Sequence, residues 1–277
     1  MPRSNRTLLL TAVAATALAL TACAGGSAPE DGGDAAASDD LGTLKVGALQ
    51  TPAGDILTFI DENAAAELGL DIEFVPFTDY NTPNTALADG SIDANLFQNS
   101  TFLETFNEAT GSDLVSVGEA YLPSAAFYSD KVDSLDDLKD GATIAIPNDP
   151  TNEGRALKLL ADEGLIEVED DVVDLSGITA NPHDFEFTEI ENATLPQALP
   201  DVDAAFVTIS FALPAGLSSD QAILLEGESS PYYNVLATRP ELAEDPRIEA
   251  LYELLISDEV ADFENETWGG LVVPVVG

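Results

Sequence analysis

The chain has 277 residues, 51 of them Asp or Glu against nine Lys or Arg, for a formal charge of −42. An apolar share of 45% is that of a globular protein, so the acidity does not by itself make the chain disordered. A surface this acidic repels nucleic acid and anionic lipid head groups. One Cys and one His exclude a disulfide framework and an all-Cys metal site, and leave little room for His-based acid–base chemistry.

The N-terminus reads as an address. Arg3 and Arg6 precede an apolar run from Leu8 to Ala22, short for a membrane span but built like the charged and apolar regions of an export signal. The run ends in Leu20-Thr21-Ala22-Cys23, which resembles a bacterial lipobox. Residues 1–22 are therefore expected to be a lipoprotein signal peptide and Cys23 the lipid-bearing residue, palmitate included; the alternative is an ordinary signal peptide with a stray Cys. Acyl chains on Cys23 would hold the protein on the extracytoplasmic face of the cell membrane without spanning it. Residues 23–42, rich in Gly, Ala, Ser and Asp, read as a flexible, self-repelling tether. Loss of Arg3 and Arg6 with the signal leaves a mature charge of −44 and seven basic residues. Dense carboxylates of this kind suit a protein kept soluble in high external salt, where their mutual repulsion is screened.

From Leu44 onward, strands and helices alternate. Leu44–Leu49, Ile72–Pro76, Ile92–Phe97, Leu114–Leu122, Thr143–Ile146, Ala204–Ile209 and Tyr233–Thr238 have strand character. Gly54–Leu68, Asn84–Ala88, Thr101–Ala109, Arg155–Glu163, Glu241–Ile256 and Asp258–Glu266 have helical spacing or helix-ending glycines. No internal repeat is present. The alternation implies α/β layers with a parallel or mixed sheet, and ligands in such sheets sit at loops off strand carboxyl ends. The length of the body suits two lobes better than one.

Several segments carry a family resemblance: Phe77–Leu87 (FTDYNTPNTAL), Ile92–Gln98 (IDANLFQ), Pro147–Arg155 (PNDPTNEGR) and Glu228–Arg239 (ESSPYYNVLATR), with Tyr128-Ser129 and Ser134–Gly141 (SLDDLKDG). Together they resemble the methionine-binding lipoproteins of bacterial ABC importers, the NlpA/MetQ family, from about Leu44 to the C-terminus. The resemblance implies an α/β type II periplasmic-binding-protein fold. Two lobes, 43–125 with 233–277 and 126–232, are joined by hinge strands with a ligand cleft between them. It implies a monomeric receptor that needs no cofactor, binds a free amino acid, L-methionine foremost, and delivers it to a permease and its ATPase.

The residues also argue for themselves. Arg155 lies about one turn into its helix, where a cation opposes the dipole at a cost of roughly 0.3–1 kcal/mol. Its placement therefore wants a reason: a ligand carboxylate, which would also gain from the amides at the helix start, or a salt bridge to one of the many acids. Asn152 has two uses as well, donating to that carboxylate or capping the helix. Tyr80, Phe97 and Phe102 form an aromatic set that suits a thioether side chain or plain core packing. Asn234, after Pro231-Tyr232-Tyr233, is either a strand-end turn residue or, as the resemblance implies, a ligand contact. The family usually reads Phe-Gln-His where this chain has Phe97-Gln98-Asn99, Tyr at Phe102, and Asn where Thr208 aligns, and the segment between Pro123 and Tyr128 is one residue longer. These departures leave the head-group chemistry mostly in place and bear on side-chain specificity.

Rival functions find less support. No GxGxxG, Walker A or HExxH pattern occurs, and no EF-hand loop. His183 sits in Asn181-Pro182-His183-Asp184, which reads as a turn. A sensor or adhesin on the same fold remains the alternative to a transport receptor, as does a receptor for another apolar amino acid or a methionine derivative.

Overall fold

The computed structural model describes residues 40–277 apart from Glu228; the expected signal peptide, Cys23 and the tether up to residue 39 lie outside the described residues. The chain runs β1 (Gly42–Leu49), α1 (Asp55–Asn63), β2 (Leu70–Phe77), α2 (Pro83–Ala88), β3 (Ala94–Asn99), α3 (Ser100–Thr110) and β4 (Val115–Pro123). It continues through β5 (Ala125–Tyr128), β6 (Thr143–Pro147), α4 (Pro150–Asp162), the short pair β7 (Glu167–Val168) and β8 (Ile178–Ala180), and β9 (Glu186–Ile190). Then come α5 (Leu195–Ala198), β10 (Ala204–Thr208), α6 (Ile209–Ala212), β11 (Ala222–Leu225), β12 (Asn234–Thr238), α7 (Pro246–Leu255), α8 (Asp258–Trp268) and β13 (Val272–Pro274).

Pairing sorts the strands into a six-stranded sheet, β13-β4-β12-β3-β1-β2, and a five-stranded sheet, β11-β5-β10-β6-β9. Both are mixed. In the first, β1 is parallel to β2 and β3 while β12 is antiparallel to β3 and β4. In the second, β6 is parallel to β9 and β10 while β5 is antiparallel to β10. The chain passes between the sheets at Ser124, from β4 to β5, and again between β11 and β12. This is the two-sheet α/β arrangement of the type II periplasmic-binding-protein fold.

Alternation along the strands fills both faces of each sheet. On the first sheet, Leu44, Val46 and Ala48 pack against Ile56, Leu57 and Ile60 of α1 and Ile248, Leu251 and Leu255 of α7. Its other face holds Leu87, Leu103, Leu114 and Val235. On the second sheet, Phe127, Ile144 and Phe206 meet Leu157 and Leu160 of α4. The intervening residues Ala126, Ala205 and Val207 face Leu195 and Leu199.

The helix boundaries have local causes. The expected helix over Gly54–Leu68 breaks at Ala64 (φ −127°), after which Ala65–Leu68 forms a separate 3-10 turn closed by Gly69 at φ +63°. The expected helix over Glu241–Ile256 is likewise shorter. Pro246 takes the first helical position with Asp245 as its cap, and Pro240–Leu242 is a turn of its own. Six strands are absent from the sequence expectation: β9, β11 and β13 lie at sheet edges, where one side lacks a partner, β7 and β8 form a short pair of their own, and β5 is a buried central strand of only four residues next to β4. No helix among the described residues is long and apolar enough to cross a membrane.

One core residue breaks the apolar pattern. Glu264 of α8 is 1% exposed, and neither carboxyl oxygen has a hydrogen-bond partner among the described residues. Burial pushes its carboxyl up to about 8. The folded state therefore favours the protonated acid, and the stability this group allows is greatest below its unfolded value near 4.5. That stability falls as pH rises toward 8. Glu264→Gln is expected to match the parent in stability near pH 4 and to exceed it increasingly up to pH 8, by a few kcal/mol at most, at about 1.4 kcal/mol per pKa unit, with a melting temperature that rises accordingly. Thermal melts of both proteins across that range check this.

Candidate functional site

The site grows from the ends of β3, β12 and β10 and the start of α4. Asn99, the last residue of β3, pairs in register with Asn234, the first of β12. Asn99 also caps α3: its Oδ1 accepts from the Phe102 N–H at 3.0 Å, which fixes Phe102 at the helix's first turn. The Asn234 Nδ2 donates to the Tyr121 hydroxyl at 3.1 Å. Behind Phe97, the buried amides of Asn84, Asn95 and Gln98 bond one another at 2.6–3.0 Å and tie α2 to β3.

From the other sheet, α4 brings Asn152 and Arg155. Its rotation and depth are set by Gly154, where a Cβ would lie 2.4 Å from the Val172 carbonyl oxygen, so only Gly allows this close approach. Thr208 ends β10. Its Oγ1 and the Tyr80 hydroxyl share a hydrogen bond at 3.0 Å, a direct contact between segments that follow strands of different sheets. Phe211 of α6 packs on Tyr80 with ring centres 4.9 Å apart, and Tyr80, Phe97 and Phe102 sit 5.7–6.1 Å from one another in tilted or edge-on pairs. Burial pushes the Tyr80 phenol up, so it remains a hydroxyl at neutral pH.

All eight residues singled out from the sequence, Tyr80, Phe97, Asn99, Phe102, Asn152, Arg155, Thr208 and Asn234, line one cavity, with Gln98 and Pro123 completing the wall. Its atom-free volume is about 300 Å³, yet the open space at its centre is only about 10 Å³. That is room for roughly one water. Admitting a larger molecule requires the walls to move apart, and the Tyr80–Thr208 bond is one contact that joins them.

The polar residues are more committed than their sequence suggests. Of the two uses open to Arg155, the salt bridge is realised: Nε donates to Glu226 Oε1 at 2.8 Å, Nη2 pairs with Glu226 Oε2, and Nη2 also donates to the Pro123 carbonyl at 2.9 Å. The Tyr232 ring lies 4.8 Å from the guanidinium carbon. The remaining nitrogen, Nη1, makes no hydrogen bond among the described residues. At the helix start, the expected opening for a ligand carboxylate is already filled. Asp149 is the cap and takes the Asn152 backbone N–H at 2.9 Å, while both of its oxygens accept from Asn152 Nδ2 at 3.1 Å. Asn192 also donates to Asp149, at 2.6 Å, and its own Oδ1 is buried without a partner among the described residues. Asn152 is thus an acceptor toward the cavity rather than a free donor. Next to it, burial and the charge of Glu189 push the Glu153 carboxyl up to about 7.

Sequence reasoning passed over Glu226, Asp149, Asn192, Gln98 and Pro123. Gln98 and Asp149 stand inside the quoted motifs, so a signal existed. Glu226 is one acid among 51 and carried none. His183 lies in the expected turn, with Nδ1 3.0 Å from exposed Asp140. Among the described residues no group of His, Cys, Asp and Glu is arranged to hold a metal ion.

Comparison with known proteins adds to this geometry. The family model described as NlpA lipoprotein matches residues 44–276. A probable D-methionine-binding lipoprotein MetQ from Vibrio cholerae is 35% identical over 274 residues, covering 98% of each chain. Among solved structures, a periplasmic substrate-binding protein of an ABC transporter from Coxiella burnetii is 38% identical with a TM-score of 0.81, covering 84% of this chain and all of the other. A nutrient-binding protein from Burkholderia cenocepacia, solved with methionine bound, is 35% identical with a TM-score of 0.80, covering 83% of this chain and 99% of the other. These names describe binding and no reaction.

Proposed function

The chain belongs to the NlpA lipoprotein family, and from that premise we propose that it is the membrane-anchored receptor of an ABC importer, taking a free amino acid, methionine foremost, into the cavity between its two sheets. The observation that carries the reading is that one cavity gathers all eight residues, some polar and some aromatic, from both sheets. Arg155, Asn152, Asn99, Thr208 and Asn234 supply charge and hydrogen bonds for a zwitterionic head group. Tyr80, Phe97 and Phe102 supply aromatic edges, against which a thioether gains about 0.3–1.5 kcal/mol. Gln98 and Pro123 close the wall. The names of the relatives, which specify D-methionine and methionine, support the same ligand class.

The mechanism is closure of two lobes, 43–125 with 233–277 and 126–232, about the passages at Ser124 and before β12. Opening parts Tyr80 from Thr208. Closing on the ligand excludes water and strengthens the charged contacts in the drier cavity. The mature chain is a monomer held to the outer face of the membrane by acyl chains on Cys23, palmitate among them, and hands its cargo to a permease and its ATPase. Abolished importer-dependent uptake on deletion separates this receptor from a sensor or adhesin. Its acidity fits a life in concentrated salt.

Calorimetric titration of protein stripped of co-purified ligand, against the standard amino acids and both hands of methionine, tests the reading. Methionine is expected to bind tightest, and binding of none of them contradicts the proposal. Arg155→Ala is expected to weaken binding at least about tenfold, since a hydrogen bond to a charged group is worth roughly 1.5–3 kcal/mol. Separately, the melting temperature is expected to rise steadily from dilute buffer to molar salt as carboxylate repulsion is screened. A melting point indifferent to salt would speak against the high-salt reading.

A further inference from the structure

Glu226 has a place in the fold that a stray ion pair would not need. It follows β11, where the chain leaves the second sheet for β12. Its Oε1 accepts from Arg155 Nε at 2.8 Å and from the Ser230 hydroxyl at 2.9 Å. Its Oε2 pairs with Arg155 Nη2 and accepts from the Ala125 N–H at 3.3 Å. Arg155 Nη2 in turn holds the Pro123 carbonyl. The pair is thus bonded to both passages between the sheets: Pro123 and Ala125 flank Ser124, and Ser230 lies on the return.

Glu226 is not part of the cavity wall. It lines a separate hollow together with Lys158, Asp162, Ser230 and Tyr232. Arg155 is the one residue that lines both spaces. Glu226 takes the Nε/Nη2 edge and leaves Nη1 without a bond among the described residues. A carboxylate behind the Arg holds its plane and does not compete with a carboxylate in front of it.

We propose that Glu226 is a positioning residue for the candidate site, holding the Arg155 guanidinium edge-on and tying it to both passages between the sheets so that Nη1 is presented to a ligand carboxylate. This rests on the amino-acid reading above and adds the residue that orients the Arg and links it to the hinge. Without the Glu226 charge, the guanidinium is free to turn into the hollow, toward Asp162 at its rim. The ordering it then needs comes out of ligand affinity.

The test compares methionine with its carboxamide, which lacks the carboxylate, by calorimetry on the full-length protein. The parent is expected to prefer methionine by about tenfold or more, as a charged hydrogen bond does over a neutral one. Glu226→Gln is expected to lower methionine affinity by about tenfold, as loss of an orienting outer partner does elsewhere, while leaving the carboxamide within about twofold. The preference then collapses. A merely structural defect lowers both ligands together and keeps the preference, and that result, or unchanged or tighter methionine binding, would overturn the inference. Ser230→Ala keeps both charges and removes only the hydroxyl bond to Oε1. It is expected to reduce the same preference by about twofold, and it decides the matter if Glu226→Gln does not fold. A parent that binds neither ligand overturns the underlying reading and this inference with it, a result distinct from a parent that binds and variants that keep the preference.

Discussion

A guanidinium and a carboxylate, 3% and 8% exposed, meet where the chain passes between its two sheets. Burying two charges costs several kcal/mol per ion unless each remaining hydrogen-bonding position is satisfied. Here, among the described residues, Pro123, Ala125 and Ser230 supply those bonds for every position but Arg155 Nη1, and the Tyr232 ring lies against the guanidinium. The pair is a poor choice if stability alone is the aim, since an apolar pair of similar shape does as well. It makes sense as a device that fixes one cation in one orientation at the wall of a cavity.

The rest of the site follows the same rule of holding polar groups through partners behind them. Asp149 holds Asn152 by three bonds and draws Asn192 to the same carboxylate. The amides of Asn84, Asn95 and Gln98 satisfy one another in the core, which locks the strand that carries Phe97 and Asn99. Tyr121 steadies Asn234. On the apolar side, Leu49, Tyr80 and Phe97 form a small cluster with Phe102 and Phe211. Rigid walls and one separable contact, Tyr80 to Thr208, are what closure around a small solute asks for.

Much of this was legible in the residues. The strands of high apolar content, β1, β3, β6, β10 and β12, announce themselves because both faces of their sheets are covered, so nearly every side chain is buried. The edge strands do not: β9 (EFTEI) has three of its five residues exposed, while β11 (AILL) and β13 (VVP) are apolar but too short to carry a period. Pro246 is a helix-start signal that the expected helix over Glu241–Ile256 runs through. At the site, Tyr80, Phe97, Asn152, Arg155 and Asn234 are legible because they lie in segments that resemble the family, and Asn99, Phe102 and Thr208 because they stand where the family carries other residues. Their partners were harder to see, since Glu226 is 71 residues from Arg155 and looks like every other acid in the chain. Pairing at that distance is a property of the fold and leaves no local mark. The same holds for the cap on α4: Asn152 and Asp149 are both good caps, and only the geometry decides that Asp149 serves and Asn152 is held.

The excess of acid makes the placement of the few bases informative. Arg239 and Arg247 are spent on chain carbonyls and neighbouring acids at the periphery of the first sheet, where they join segments distant in sequence. Arg155 is the one at the cavity. The most direct measurement of the account is a crystal structure of the protein grown with methionine. The ligand is expected between the two sheets, its carboxylate within hydrogen-bonding distance of Arg155 Nη1, its sulfur against Phe97 and Phe102, and the cavity enlarged to hold it. Methionine bound elsewhere on the surface, or a saturated protein whose cavity keeps its present size of about 10 Å³ of open space, would contradict the proposal.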